Sequence, residues 1–312
     1  MGPDYVLIAD VDGTLFGDDA ALERFALWHA ENRRRYRLAY ATGRHRESLE
    51  RLIAGTALPA PDAAITAVGT EIHDGQWRRW PDWPERFAGF DAEAARLAVR
   101  PFRQLALQPD DAQTPLKASY DARDLDPSDL VDIRAALVRA GQDPRLVRSA
   151  GLHLDIIPAA AGKGNAAALL VESWGVSPDA VMVFGDTGND IDLFQKGFRG
   201  TVVANALPEL LDAVKGHAYR SSFAYADGVL DGIRHWSGRG PAVTETAAGG
   251  TSDGSAGPAR PDEVQPVGAP DARHPCARSS EQVDDHLVVT RGRRQVLHAP
   301  RLPELGGASQ PG

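Results

Sequence analysis

Near its N-terminus the chain runs "YVLIADVDGTLF", Tyr5 to Phe16. A short, unbroken apolar run bounded by turn residues reads as a strand buried on both faces, and such strands belong to parallel sheets covered by helices. In open sheets of that kind, ligands bind at the carboxyl ends of the strands. This strand ends in Asp10 and Asp12. Residues i and i+2 of an extended chain face the same side, so both carboxylates can point into one site. Gly13 permits the turn that follows. Two like charges this close repel each other. They make sense around a divalent cation, or as a nucleophile paired with a proton carrier. A pair of turn or helix-cap aspartates is the plainer alternative.

The chain up to about Gly240 keeps the pattern that this strand implies. A helix is expected in "DDAALERFALWHAENR", capped by Asp18 or Asp19, and then a strand in "RLAYAT". A helix from about His45 to Ile53 and a third strand, "AAITAV", follow. "TEIHDGQWRRW" predicts a hairpin turning at Asp74-Gly75. Further on come "KGNAAALLVESWG" (helix), "AVMVFGD" (strand), "DIDLFQK" (helix) and "GTVVAN" (strand). Between Pro81 and Pro158 the rhythm breaks. The aromatic, Pro-rich "WPDWPERF" leads to a helix ("DAEAARLAV"), a strand ("TPLKASYD"), a helix starting at Pro127-Ser128, and the strands "DPRLVRS" and "LHLDII". The expected fold class is therefore α/β, with a Rossmann-like parallel-sheet core from residues 1–80 and 159–240. An α+β cap, residues 81–158, is inserted into it.

Composition separates the remainder. All six Trp, six Tyr and nine Phe precede Gly240, whereas nine of the 22 prolines follow it. Residues 241–312 cannot bury enough apolar surface to offset the entropy of ordering, so a disordered tail is expected. Within it, "HLVVTRGRRQVLHA" (His286 to Ala299) reads as a weak hairpin, a docking patch or, most simply, part of a solvated tail. The net charge of −9 argues against nucleic acid or an anionic membrane as partner. Cys276 stands alone and forms no intrachain disulfide. There is no basic leader and no apolar run of about 18 residues, so a cytoplasmic location is expected.

Three more polar clusters sit at strand ends or helix starts. In "YATGR", Thr42 and the neighbouring N–H groups can cradle a phosphoryl group, with Arg44 adding charge. An ordinary helix cap explains that stretch equally simply. In "AAGKGNA", Lys163 opens a helix and so opposes its dipole, which asks for a reason beyond solubility; a solvated surface lysine is the open alternative. A Walker A loop is not that reason: Ile157 stands where its first glycine belongs, and Gly164 replaces the Ser/Thr. In "VMVFGDTGNDIDLF", Asp186, Asn189 and Asp190 form an acidic loop that suits a hard cation such as Mg²⁺, with Asp192 one turn further on. Acid pair, threonine, lysine and acid loop, each at a strand end or helix start, form a joint pattern that is hard to obtain by chance.

"DVDGTL", "ATGR", "GKG" and "GDTGND" together resemble the four motifs of the haloacid dehalogenase-like phosphatases, over residues 4 to about 236. The wording "FGDDAALERF", "LAYATGRHRESL", "ITAVGTEI" and "LHLDIIPAAAGKGNA" is similar to the sucrose-phosphate phosphatases and the related mannosylfructose-phosphate phosphatases. "KASY" (Lys117 to Tyr120) departs from the "KVSF"-like run common in the former. The resemblance implies an Mg²⁺-dependent phosphoric monoester hydrolase. Its substrate would be a sugar phosphate, sucrose 6-phosphate first, with mannosylfructose phosphate, glucosylglycerol phosphate or sugar phosphates at large as alternatives. It implies that Asp10 is the nucleophile and Asp12 the general acid and base. It places Mg²⁺ on the Asp10 carboxylate, the Asp12 carbonyl and Asp186, with Asn189 and Asp190 supporting that shell or orienting Lys163. Thr42 and Lys163 would hold phosphoryl oxygens. Candidates for binding the substrate are Gly43, Arg44, Thr70, Glu71, Gln104 and Lys117. Trp77, Trp80 and Trp83 are expected to pack between core and cap rather than to bind a ring. The implied partner is a glycosyltransferase that makes the sugar phosphate. A phospho-receiver module places its acids differently and lacks a cap; a silent scaffold would not keep every chemical position. A phosphohexomutase on the same scaffold remains as a rival enzyme.

Overall fold

The computed structural model describes residues 4–238. The expected tail, 241–312, with its His286 to Ala299 patch, lies outside the described residues.

The chain begins with a strand in the interior of the larger sheet. β1 (Tyr5–Ala9) is buried at all five positions. α1 (Asp19–Asn32) starts where the Asp18 carboxylate accepts the Ala21 N–H, and it turns Leu22, Phe25 and His29 inward. β2 (Tyr36–Ala41) lies parallel to β1, with Tyr36 opposite Tyr5 and Tyr40 opposite Ala9. α2 (Arg46–Gly55) is capped by His45 and buries Leu49. β3 (Ala63–Thr66) continues the parallel ladder, and β4 (Glu71–Asp74) returns antiparallel to it. The third strand is shorter than "AAITAV" suggested, because Ala67 and Val68 turn to φ +49° and +58° and cannot extend it. The hairpin expected at Asp74-Gly75 is a tight turn with a single bridge, His73 to Arg79.

The next segment builds a second sheet. α3 (Asp82–Glu85) is followed by α4 (Ala92–Val99), whose Asp91 cap accepts two N–H groups. β5 (Ala106–Leu107), β6 (Ala118–Asp121), α5 (Pro127–Arg139), β7 (Pro144–Ser149) and β8 (His153–Pro158) complete it. The strand order is β5-β6-β8-β7, all antiparallel. α5 is held at its start by a reciprocal Asp126–Asp129 capping box and Pro127. This segment has its own apolar cluster, including Val99, Tyr120, Ile133, Leu137, Leu154 and Ile156. Trp83 and Phe87 pack instead in the cluster of the larger sheet. The described residues nonetheless form one compact unit.

The chain then returns to the first sheet. α6 (Lys163–Ser173), β9 (Val181–Gly185), α7 (Ile191–Phe194), β10 (Arg199–Val202), α8 (Pro208–Ala213), β11 (Ala218–Arg220) and α9 (Tyr225–Ser237) complete it. α7 is only one turn long, because Gly188–Asp190 coils as a 3₁₀ turn that keeps Asp190 at the strand end. The order β11-β10-β9-β1-β2-β3-β4 is parallel except at β4. The carboxyl ends of β1, β2 and β9 carry Asp10, Thr42 and Asp186, and the start of α6 brings in Lys163. Among the described residues no helix is long and apolar enough to cross a membrane.

Candidate active site

Lys163 organises the floor of the site. Its side chain has no exposed surface. Its ammonium donates to Asp10 Oδ1 at 2.7 Å, Asn189 Oδ1 at 2.6 Å and Asp190 Oδ1 at 2.7 Å. A lysine has three donors, so all are used. The other oxygen of Asp190 accepts the N–H groups of Asp186 and Thr187, at 3.0 and 3.2 Å. Asp186 accepts from the Thr14 hydroxyl at 3.0 Å. Gly13, at φ +84°, passes so close that a Cβ there would overlap the Asp186 carboxylate. A dipole-opposed lysine at a helix start thus has its explanation: the charges it meets are buried acids.

The acids outnumber the lysine. Asp10, Asp186 and Asp190 are all buried and bring one oxygen each within 4.8 Å of one another. Burial raises Asp10 well above the usual carboxylate range; Lys163 counters this in part, while Asp190 and Asp186 add to it. Burial and the Asp190 charge push Asp186 up to about 7. Burial alone would lower Lys163, but Asp10 and Asp190 outweigh it and hold the ammonium charged. A buried all-oxygen donor set with excess negative charge fits a hard divalent cation.

Asp12 differs from its neighbour. Asp10 is 4% exposed, whereas the Asp12 side chain is 48% exposed. Arg44 grips Asp12 with a two-pronged fork, Nε to Oδ2 at 2.7 Å and Nη2 to Oδ1 at 2.6 Å. That contact raises the Arg44 pKa. The remaining Arg44 nitrogen donates to Ser48 Oγ at 2.9 Å. Thr42 is fully buried; its hydroxyl accepts the Arg44 N–H at 3.1 Å and its carbonyl accepts the Val68 N–H. Asp10, Asp12, Gly43, Arg44, Lys117 and Asn189 all border one cleft of about 480 Å³ between the two sheets.

The sugar candidates divide. Lys117, on the smaller sheet, borders the cleft, reaches the Gly43 carbonyl at 3.4 Å and pairs with Asp155 at 3.6 Å. Thr70 does not border it: the residue is wholly buried and its hydroxyl donates to the Ala67 carbonyl, closing the turn after β3. Glu71 faces an adjoining cavity of about 420 Å³, where Thr66, His73 and Arg79 surround it. Gln104 does not border the cleft either, because its amide donates to Asp129 in the first turn of α5. Trp83 donates its indole N–H to the Gly69 carbonyl and packs edge-on against Phe87, while Trp77 and Trp80 lie against the main cluster. None of the three borders the cleft. Residues that sequence reasoning passed over do border it: Ser48, Gln108, Asp111, Ser149 and His153. Each stands outside the four motifs, in an ordinary strand, helix or loop, with no local signal to single it out.

Known proteins resemble this chain over nearly all of its described residues. The profile of the family described as Sucrose-6F-phosphate phosphohydrolase matches residues 3–237. The chain is 36% identical over 246 residues to the mannosylfructose-phosphate phosphatase of Agrobacterium fabrum, covering 76% of this chain and 98% of that one. It is 33% identical over 218 residues to sucrose-phosphatase 1 of Nicotiana tabacum, covering 66% of this chain. It spans only about half (51%) of that plant relative's length. Among solved structures, the sucrose-phosphatase of Synechocystis in complex with sucrose and phosphate superposes with a TM-score of 0.71 at 31% identity. That match covers 75% of this chain and 98% of the other.

Proposed function

The chain belongs to the sucrose-6F-phosphate phosphohydrolase family of haloacid dehalogenase-like phosphatases, and from that premise we propose that it hydrolyses sucrose 6-phosphate to sucrose and phosphate. The observation that carries this reading is the 2.7 Å contact between Lys163 and Asp10 in a buried acid cluster that opens on the cleft. Phosphoryl transfer needs in-line positioning and charge neutralisation more than elaborate covalent chemistry.

Asp10 attacks phosphorus, a bond forms from its carboxylate oxygen, and the phosphorus–oxygen bond to the sugar breaks. Asp12 hands its proton to the departing sugar oxygen. In the second half, water attacks the aspartyl phosphate while Asp12 takes the proton back, and phosphate and the Asp10 carboxylate are released. Splitting the hydrolysis this way keeps one proton carrier within reach of both steps. Both oxygens of Asp12 accept from Arg44 here, so the fork must open before that proton moves. Lys163 and Thr42 hold phosphoryl oxygens, Lys163 by turning one of its three donors from its present acceptor to the substrate, and Gly43 leaves room beside them. Mg²⁺ would sit on the Asp10 carboxylate, the Asp12 carbonyl and Asp186, where it would neutralise the phosphoryl charge that meets a carboxylate nucleophile. Asp190 and Asn189 serve through Lys163, since both Asp190 oxygens are already engaged. Residues 81–158 act as the cap that closes over the sugar, with Lys117 and Arg44 as its nearest cations. The enzyme works in the cytoplasm, beside a glycosyltransferase that supplies the phosphorylated sugar.

Mannosylfructose phosphate is the second reading. It is favoured by the identity to the Agrobacterium enzyme, 36% against 33% to the tobacco sucrose-phosphatase and 31% to the Synechocystis one. The test is phosphate release from both disaccharide phosphates and from hexose monophosphates, with Mg²⁺ and with EDTA, using Asp10→Asn as control. Sucrose 6-phosphate is expected to be the best substrate, with release lost in EDTA and in the variant. Comparable rates on all substrates would sink the disaccharide assignment, and an active, folded Asp10→Asn protein would sink the nucleophile.

A further inference from the structure

A carboxylate that takes no part in this chemistry ties the two sheets together. Glu209 lies in the first turn of α8. Its Oε1 accepts two backbone N–H groups, from Ala150 at 2.8 Å and from Gly188 at 2.9 Å. Ala150 belongs to the turn between β7 and β8; Gly188 belongs to the loop between β9 and α7. One oxygen therefore pins the smaller sheet's turn to the loop that carries Asn189 and Asp190. The approach is close. A Cβ on Gly188 would stand 2.6 Å from the Arg148 carbonyl and 2.9 Å from Glu209 Oε1, so only glycine lets the turn seat there. Ala150 holds φ +55°, a conformation that costs a non-glycine residue and persists only when its surroundings impose it.

Beside this contact, Ser149 Oγ lies 3.3 Å from Thr187 Oγ1 and 3.3 Å from Asn189 Nδ2. The direction of the Asn189 amide follows from Lys163. An ammonium only donates, so the amide oxygen must face it and the amide nitrogen is left for Ser149. A continuous hydrogen-bonded path then runs from Ser149 through Asn189 and Lys163 to Asp10. Its weakest link is the 3.3 Å contact at Ser149, and Glu209 holds the residue next to it.

We propose that Glu209 is a positioning residue: it seats the 149–152 turn on the 187–190 loop, and through Ser149 and Asn189 it sets Lys163 against the phosphoryl group. This rests on Lys163 holding phosphoryl oxygens, as read above. Glutamine at 209 keeps an oxygen able to accept both N–H groups. Alanine leaves both without a partner, the costlier change.

The test uses the full chain and p-nitrophenyl phosphate, so it does not depend on the sugar. Glu209→Ala is expected to lower kcat about tenfold with KM moved less than about twofold, the pattern of a lost transition-state interaction. Glu209→Gln is expected to recover most of that loss. Ser149→Ala should slow the enzyme in the wild-type background and add nothing in Glu209→Ala, because the two act in series. Hydrogen exchange at the Ala150 and Gly188 amides should quicken in Glu209→Ala. Wild-type kcat in a folded Glu209→Ala protein, additive losses, or no rescue by glutamine would each overturn the proposal. If the wild type released no phosphate from any ester, the phosphatase reading would fail. The exchange result would still decide the latch, since unchanged exchange at both amides also overturns it.

Discussion

At the scale of single residues, the site is a problem of excess negative charge. Lys163 satisfies one oxygen on each of Asp10, Asn189 and Asp190, yet three buried carboxylates face one ammonium. The consequence for stability has a definite sign. The folded-state values of Asp10 and Asp186 lie above the ordinary carboxylate value, with Asp186 at about 7. Such groups stabilise the fold when protonated, and that contribution is lost as pH rises through the folded value. In EDTA the melting temperature is therefore expected to fall between pH 5 and pH 8. Mg²⁺ is expected to raise it, and by more at pH 8 than at pH 5, since it binds the ionised form. Thermal melts at both pH values check this; a Tm in EDTA that is flat with pH, or a smaller gain at pH 8, would mean that the acids are not in conflict. Asp10, Lys163 and Asp186 were legible as candidates because each stands in a distinctive short motif. That Asp12 is exposed and gripped by Arg44 was not, because the partner is 32 residues away and the fork depends on two loops meeting.

At the scale of elements, the loop after β3 shows what a local pattern hides. "AAITAV" is apolar but for Thr66 and reads as strand, yet Ala67 and Val68 adopt positive φ, a costly conformation for a β-branched residue such as Val68. Tertiary bonds override the propensity: the Ala67 N–H donates to the Arg44 carbonyl and the Val68 N–H to the Thr42 carbonyl. The turn thereby braces the loop that carries Thr42. Gly69 completes it, at φ +86°, against the Gly162 carbonyl and the Lys163 N–H. Gly69→Ala would place a Cβ into backbone, which cannot swing aside. The expected cost is about 2–4 kcal/mol, a fall in Tm of roughly 5 to 15 °C for a unit of this size. It should also lower kcat, because α6 starts at the displaced position. A Tm within about 2 °C of wild type, a shift that matches less than about 1 kcal/mol, would contradict the close packing.

At the scale of the whole molecule, function depends on two sheets sharing a cleft. Lys117 is the clearest reach across it, from β6's leading edge to the Gly43 carbonyl. Lys117→Met keeps the stem and removes the charge. It is expected to raise KM for the disaccharide phosphate about tenfold while changing kcat/KM for p-nitrophenyl phosphate less than about threefold. Equal losses on both esters would assign Lys117 to the phosphoryl group or to folding, and not to the sugar. The other sugar candidates hold partners of their own. Thr70, Glu71 and Gln104 are plausible hydroxyl binders by type, but their hydrogen bonds are spent on Ala67, on Thr66 and His73, and on Asp129.

The sequence alone determined the fold class and the four motif clusters at strand ends and a helix start. The reason is that burial period, strand ends and helix caps are read over a few neighbouring residues. It also determined the family, since the four motifs keep their order and wording. Only the tertiary structure decided which polar side chains face the cleft, that Arg44 holds Asp12, and that Glu209 joins the 149–152 turn to the 187–190 loop. Those contacts link residues 21 to 59 positions apart. A hydrogen bond of 2.6 to 3.3 Å is set by how two sheets pack, and no spacing within either segment encodes it.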